Sequence, residues 1–345
     1  MRKPYLSIVL FLLAVSTVAF DSCNKRVGLE SNGDELAIPY SVYFSDSAGI
    51  LYNSNNGDLI KKLLFPADGY PSRALAVTGP THLVWVKKNA HYTMDNGETF
   101  GPTYFNVNPA AYNQSGLLYA RDQERVYIAS DQGFGVAYNE KNGQSGEWQL
   151  EPASNWDNTI TGSVSITSYT QLSNGEIYAY DDVNNRLFKK DNKGDAWSEI
   201  SIDLANFPHD GGSVSLASYK NVVVAIDSTD SLGVWYSTNG SNWSQFSGLP
   251  DDTRIACAGA PFNEELFVGT YYQGLFRLEM GVMVPANEGL EANLIVRGIK
   301  GKYERSKNDA EKRVVYLATN KGIYRSTDIG RNWVKVREGN FINVY

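Results

Sequence analysis

The sequence predicts an all-β fold built from repeated four-stranded units, and three observations predict it. A turn motif returns at near-regular spacing. Short runs rich in Val, Ile, Tyr, Phe and Thr are broken by Gly, Asn and Asp, as strands and tight turns require. No stretch of helical length with a 3.6-residue hydrophobic period lies outside the N-terminus.

The fullest copy of the turn reads Ser326-Thr327-Asp328-Ile329-Gly330-Arg331-Asn332-Trp333. Its Asp lies five positions before the closing aromatic and its Gly three. Asn55, Gly57 and Ile60 repeat that spacing, as do Asp95, Gly97 and Phe100, and Asn192, Gly194 and Trp197. Two copies depart from it: the one closing at Trp148 is longer, and the one with Asn239, Gly240 and Trp243 is one residue short. In such a turn the Asp or Asn oxygen accepts from backbone N–H groups ahead of it, Gly supplies a positive φ, and the aromatic packs into the core.

Successive closing residues are separated by 40, 48, 49, 46 and then 90 positions. The double gap predicts one degenerate unit, and residues 265–270 and 274–278 supply a strand pair for it. Within the last unit, residues 314–318, 322–326 and 333–336 read as three strands in order, with the turn between the second and third of these.

These turns resemble the Asp-box (BNR) repeats of sialidase-like and sortilin-like β-propellers. The resemblance covers nearly the whole chain after its N-terminal segment, with a full match at 326–333 and partial matches elsewhere. It implies a β-propeller of four-stranded antiparallel blades, with seven blades favoured over six or eight. The first unit begins late, near Tyr40, and residues 340–345 follow the last turn, so the C-terminal strand is expected to complete the first blade and close the ring. Residues 36–39 are the alternative source of that strand.

The N-terminus bears on compartment. Arg2 and Lys3 precede an apolar stretch from about Leu6 to Phe20, followed by Asp21-Ser22-Cys23. This resembles a bacterial lipoprotein signal of the Bacteroidetes type, with Asp21 and Phe20 departing from the usual residues. It implies cleavage before Cys23, lipidation of that thiol and an outer-membrane lipoprotein of the cell envelope; an ordinary cleaved signal or an uncleaved anchor are the alternatives. The expected organisation is a signal over 1–22, a polar tether over 23–36 and one propeller domain over 37–345. An acidic run after the cysteine would favour the cell surface, whereas Lys25 and Arg26 are basic, which leaves periplasmic and surface-facing placement both open.

Composition excludes some partners. The formal charge is −7 and Lys and Arg are dispersed, so nucleic acid is not an expected partner. Only three His and two Cys occur, in no zinc-like spacing, and one carboxylate per turn is too few for calcium. No metal or cofactor is expected. With Cys23 acylated, Cys257 has no disulfide partner and reads as a small buried apolar residue.

The turn residues Asn55, Asp95, Asn192, Asn239, Asp328, Gly330 and Trp333 are expected to be structural. Candidate ligand contacts lie instead on the opposite face, where the loops entering each innermost strand gather. Arg73, Arg254 and Arg297 stand near the starts of predicted innermost strands, where charge-assisted hydrogen bonds to an anion are available. Tyr70, Trp156, His209, Asp210 and Tyr271 lie in the loops threaded onto the same face. The substrate-carboxylate clamp of sialidases is missing: the segment nearest to their Arg-Ile-Pro is Ala37-Ile38-Pro39. The expected function is therefore a lipid-anchored, non-catalytic binding or scaffolding module for a glycan, a small anionic ligand or an envelope protein. The alternative is a carbohydrate-active enzyme, a glycoside hydrolase or polysaccharide lyase using loop-face carboxylates and arginines.

Overall fold

The computed structural model describes residues 42–345 except 50, 55–59, 63–71, 80, 88–89, 96, 98, 103–108, 112–113, 145, 161, 209–213, 229–232 and 306–310. The described residues form seven four-stranded antiparallel sheets. Six of them are blades made from one stretch of chain. Blade 1 is Ala74–Val77, Leu83–Val86, Ala90–Thr93 and Gly101–Pro102. Blade 2 is Leu117–Ala120, Arg125–Ala129, Val136–Asn139 and Trp148–Leu150; blade 3 is Ile166–Gln171, Ile177–Asp181, Arg186–Lys190 and Ser198–Ile200. Blade 4 is Val214–Tyr219, Val222–Asp227, Val234–Ser237 and Ser244–Gln245; blade 5 is Ile255–Gly259, Phe267–Thr270, Leu275–Glu279 and Val282–Pro285. Blade 6 is Val296–Arg305, Glu311–Thr319, Gly322–Ser326 and Val334–Glu338.

The remaining sheet is composite. Phe341–Val344 lies innermost, followed outward by Val42–Asp46, Leu51–Ser54 and Ile60–Lys62. The expectation of seven blades is thereby corrected to six self-contained blades plus a sheet stitched from two distant stretches of chain, whose innermost strand is the C-terminal one. The turn motif marks the third-to-fourth strand connection, and it occurs in the first stretch although that stretch supplies only three strands. Counting the six turns plus the unit inferred from the double gap therefore exceeds the number of self-contained blades by one. The alternative strand at 36–39, Cys23, the tether and Asn55 lie outside the described residues.

Alternation along the second strands divides the core between neighbours. In blade 4, Val223 and Ala225 pack with Tyr178 and Leu187 of blade 3, while Val224 and Ile226 pack with Ile255 and Val268 of blade 5. Both faces are buried, so these strands read as continuous apolar runs.

The repeated turns add a second contact between blades. Ser326 Oγ accepts from Gly330 N at 2.8 Å, and one oxygen of Asp328 accepts from the N–H groups of Arg331 and Asn332 at 3.2 and 2.9 Å. Ser237 and Thr93 receive the N–H of Gly240 and Gly97 in the same way. Gly330 has φ +73°, and a Cβ there would come within 2.6 Å of Phe267 in blade 5. Trp333 buries itself beside Phe267 and Leu275, donates Nε1–H to Ala286 O at 3.0 Å, and donates its backbone N–H to Glu288 O. Each such turn thus clamps its blade onto the preceding one. Removing a buried Trp of this kind costs about 3–5 kcal/mol.

Blade 5 explains the double gap. Its third and fourth strands are joined through Met280 and Gly281 alone, with φ +46° and +87°, a two-residue turn with both central residues in the left-handed region. No capping Asp or closing aromatic is needed there.

Burial favours a protonated Asp328, but hydrogen bonds from Asn332, Ser326 and Arg331 outweigh it and hold the carboxyl down at about 2. The folded-state value is depressed, so its stabilising contribution is present above the unfolded value and is lost as pH falls through the folded one. The Tm of the native protein should fall between pH 4 and 2 more steeply than that of Asp328→Asn. Identical pH profiles for the two would contradict the capping role.

Candidate functional site

First strands of neighbouring blades pack against one another and, with Phe341–Val344, line a central channel of about 780 Å³. All seven run in the same sense, giving an upper mouth where they begin and a lower mouth where they end. Much of the wall is small: Ala256, Ala258, Gly259, Gly298, Gly301 and Ser215 all line it. The charged lining residues are Arg73, Arg121, Arg297, Lys300 and Lys302, and among the described residues no Asp or Glu lines it. In a chain of net charge −7, this wall is cationic.

At the upper mouth, Arg297 Nη1 donates to Asn340 Oδ1 at 2.6 Å and to Phe341 O at 3.3 Å, which ties blade 6 to the start of the innermost composite strand. Arg73 precedes the first strand of blade 1, held there by its N–H to Val86 O. Gln114 pairs with both backbone groups of Leu75, and Ser115 Oγ donates to Ser215 Oγ at 3.3 Å. The short 3-10 turn Gln114–Gly116 therefore reaches from blade 1 to blade 4 and narrows this mouth.

The sequence-chosen residues separate into groups. Arg73, Arg297 and Tyr271 line the channel. Arg254 lies against the Tyr271 ring, 4.9 Å from its centroid, and accepts the Tyr271 N–H on its carbonyl. Trp156 is placed elsewhere: it is buried between Phe134 and Trp197, stacked on both, in the core shared by blades 2 and 3. The linker carrying it pairs with the outer strand of the next blade, since Trp197 N donates to Asn155 O at 2.7 Å and Asp157 N to Trp197 O at 2.9 Å. Tyr70, His209 and Asp210 lie outside the described residues. Asp95 accepts from Thr99 within its turn, Asn239 caps Ser241 and Asn242, and Asn192 donates to Asp195 instead.

Cys257 sits on the first strand of blade 5 with Sγ donating to Val296 O at 3.3 Å, and burial pushes its thiol up to about 12. At neutral pH this favours the thiol over the thiolate.

Arg121, Lys300 and Lys302 were not singled out by the sequence reading. Lys302 is 8% exposed and its Nζ has no hydrogen-bond partner among the described residues. Burial pushes its ammonium down to about 7, with Glu304 opposing. A signal for it does exist: Lys300, Lys302 and Glu304 alternate along one face of an inner strand, at positions that apolar residues ordinarily fill.

Neither a protein-family model nor a curated protein matches the sequence. Solved structures do match in fold. YCF48 from Cyanidioschyzon merolae superposes with a TM-score of 0.54 at 16% identity, covering 80% of this chain and 87% of its own. A streptogramin B lyase gives 0.58 at 12% identity, over 81% and 86% of the two chains. A catalytically inactive virginiamycin B lyase from Staphylococcus aureus, solved with quinupristin, gives 0.56 at 11% identity, over 84% and 93%. At these identities the likeness establishes the propeller architecture and nothing about chemistry.

Proposed function

We propose that this protein is a non-catalytic binding module of the cell envelope that receives a carboxylate-bearing segment of a partner protein at the upper mouth of its channel. One observation carries the reading: five cationic residues line the channel, and no Asp or Glu does so among the described residues. Guanidinium groups at Arg73 and Arg297 suit planar carboxylates, because their N–H forks match the two oxygens. A wall this small in side-chain volume admits an extended chain segment. Of the aromatics expected to stack on a sugar, Trp156 is consumed by core packing and Tyr271 lies against Arg254, which favours a protein segment over a glycan. Hydrolysis of the two-carboxylate kind needs a pair of acids beside the arginines, and the described lining supplies none.

The Asp-box assignment belongs to this reading, supported by the Ser326, Asp328, Gly330 and Trp333 geometry. So does the lipid on Cys23, which would hold the propeller at a membrane through a short tether. Labelled fatty acid should enter the native protein and not Cys23→Ala; equal incorporation would remove the anchor from the account.

For the binding site, an array of acidic peptides and acidic glycans should be screened with purified protein. Acidic peptides are expected to bind, and Arg73→Ala with Arg297→Ala to weaken that binding at least about tenfold, or 1.4 kcal/mol. Binding indifferent to both substitutions would sink the site, and turnover of a glycan would overturn the non-catalytic reading.

A further inference from the structure

The first strand of blade 6, Val296–Arg305, is ten residues long, while the other first strands of the blades run four to six. It therefore carries side chains past the level at which its neighbours turn. Gly301 lies against Pro261 and Phe262, which follow the end of blade 5's first strand, so Lys302 stands at the lower mouth. Arg297 stands five residues earlier, roughly 16 Å away along the strand.

Lys302 lines the channel, is more than nine-tenths buried, and has three N–H donors that meet no acceptor among the described residues. The nearest carboxylate along its own face, Glu304, is already engaged, since Tyr316 Oη donates to one oxygen and Arg325 Nη2 to the other. Arg121, at the end of blade 2's first strand, lines the same channel, as does Lys300. A buried ammonium without an acceptor is costly, and that cost is relieved either by losing the proton or by an anionic oxygen brought from outside.

We propose that Lys302, with Arg121 and Lys300, forms an anion site at the lower mouth that takes a multiply charged oxyanion, whether carboxylate or phosphate. It is separate from the carboxylate-receiving upper mouth and does not depend on that reading. Its burial explains its low ammonium value near 7, and a bound oxyanion would supply the acceptors the fold withholds.

The test uses two probes, inorganic pyrophosphate and citrate, at constant ionic strength on the full chain. Acetylation of each lysine is followed by mass spectrometry. Millimolar probe should slow acetylation of Lys302 about tenfold or more and leave exposed Lys141 and Lys193 unchanged. The probe should also raise the Tm of the native protein and of Arg73→Ala/Arg297→Ala, and not that of Lys302→Met. Protection by pyrophosphate alone assigns phosphate chemistry, and protection by citrate alone assigns carboxylate chemistry; each supports the site. Unchanged Lys302 acetylation, a full Tm rise in Lys302→Met, or loss of the rise in the upper-mouth double variant overturns it. If Lys302→Met fails to fold, the acetylation rates on the unsubstituted chain decide alone.

Discussion

Every first strand in this molecule is packed between two neighbours, so the channel exists only while the ring is closed. Closure depends on one non-local pairing: Phe341–Val344 against Val42–Asp46, with Phe44 opposite Val344 and Ser45 opposite Asn343. Tyr345 extends it through reciprocal backbone bonds to Tyr43 at 3.2 and 2.8 Å. Its side chain then crosses to blade 1, where its hydroxyl meets Ser72 at 2.7 Å and Ser45 at 3.2 Å, and Ser72 in turn accepts from Trp85 Nε1. Without this pairing two sheet edges would stand open, each a template for association. The loop that must close spans nearly the whole described chain, which makes this the entropically slowest contact to form.

Charge is distributed by the same geometry. Where ionic groups are buried in the framework they are matched: Lys190 and Glu151, both fully buried, approach to 3.7 Å between blades 2 and 3, and within blade 3 Arg186 pairs with buried Asp181 at 2.9 Å. Each such pair offsets the desolvation of its partner. The channel departs from that rule, since no Asp or Glu stands among its described lining residues. Buried ion pairs sit within and between blades, whereas the described lining of the channel carries Arg and Lys and no Asp or Glu. That contrast is why the cationic wall reads as a binding surface rather than as part of the framework.

The fold was largely legible because its signals are local. Asp328, Gly330 and Trp333 each act within one turn, and their spacing survives in the sequence whatever the rest of the chain does. Blade 5 was legible from its strand pair at 265–270 and 274–278 and from a gap in the turns, because a two-residue turn at Met280 and Gly281 needs none of those residues. Counting turns misjudged the blades because a turn cannot report which strand lies innermost. The site was less legible. Trp156 looks like a ligand-stacking residue from its loop, yet that linker is caught by the outer strand of the next blade, a long-range pairing no local pattern encodes. Arg254 resembles Arg73 and Arg297 in sequence, but its guanidinium lies over the Tyr271 ring and it is not among the channel-lining residues. Lys302 was missed because its position at the lower mouth follows from strand length relative to five neighbouring blades.

Ring closure is therefore the claim on which site, charge and stability all rest. Hydrogen exchange read by mass spectrometry on peptides covering 42–46 and 341–345 tests it most directly. A closed ring predicts that both exchange as slowly as the buried second strand Phe267–Thr270 of blade 5, through global unfolding. Rapid exchange of 341–345 while Phe267–Thr270 stays protected would contradict closure, and with it the channel.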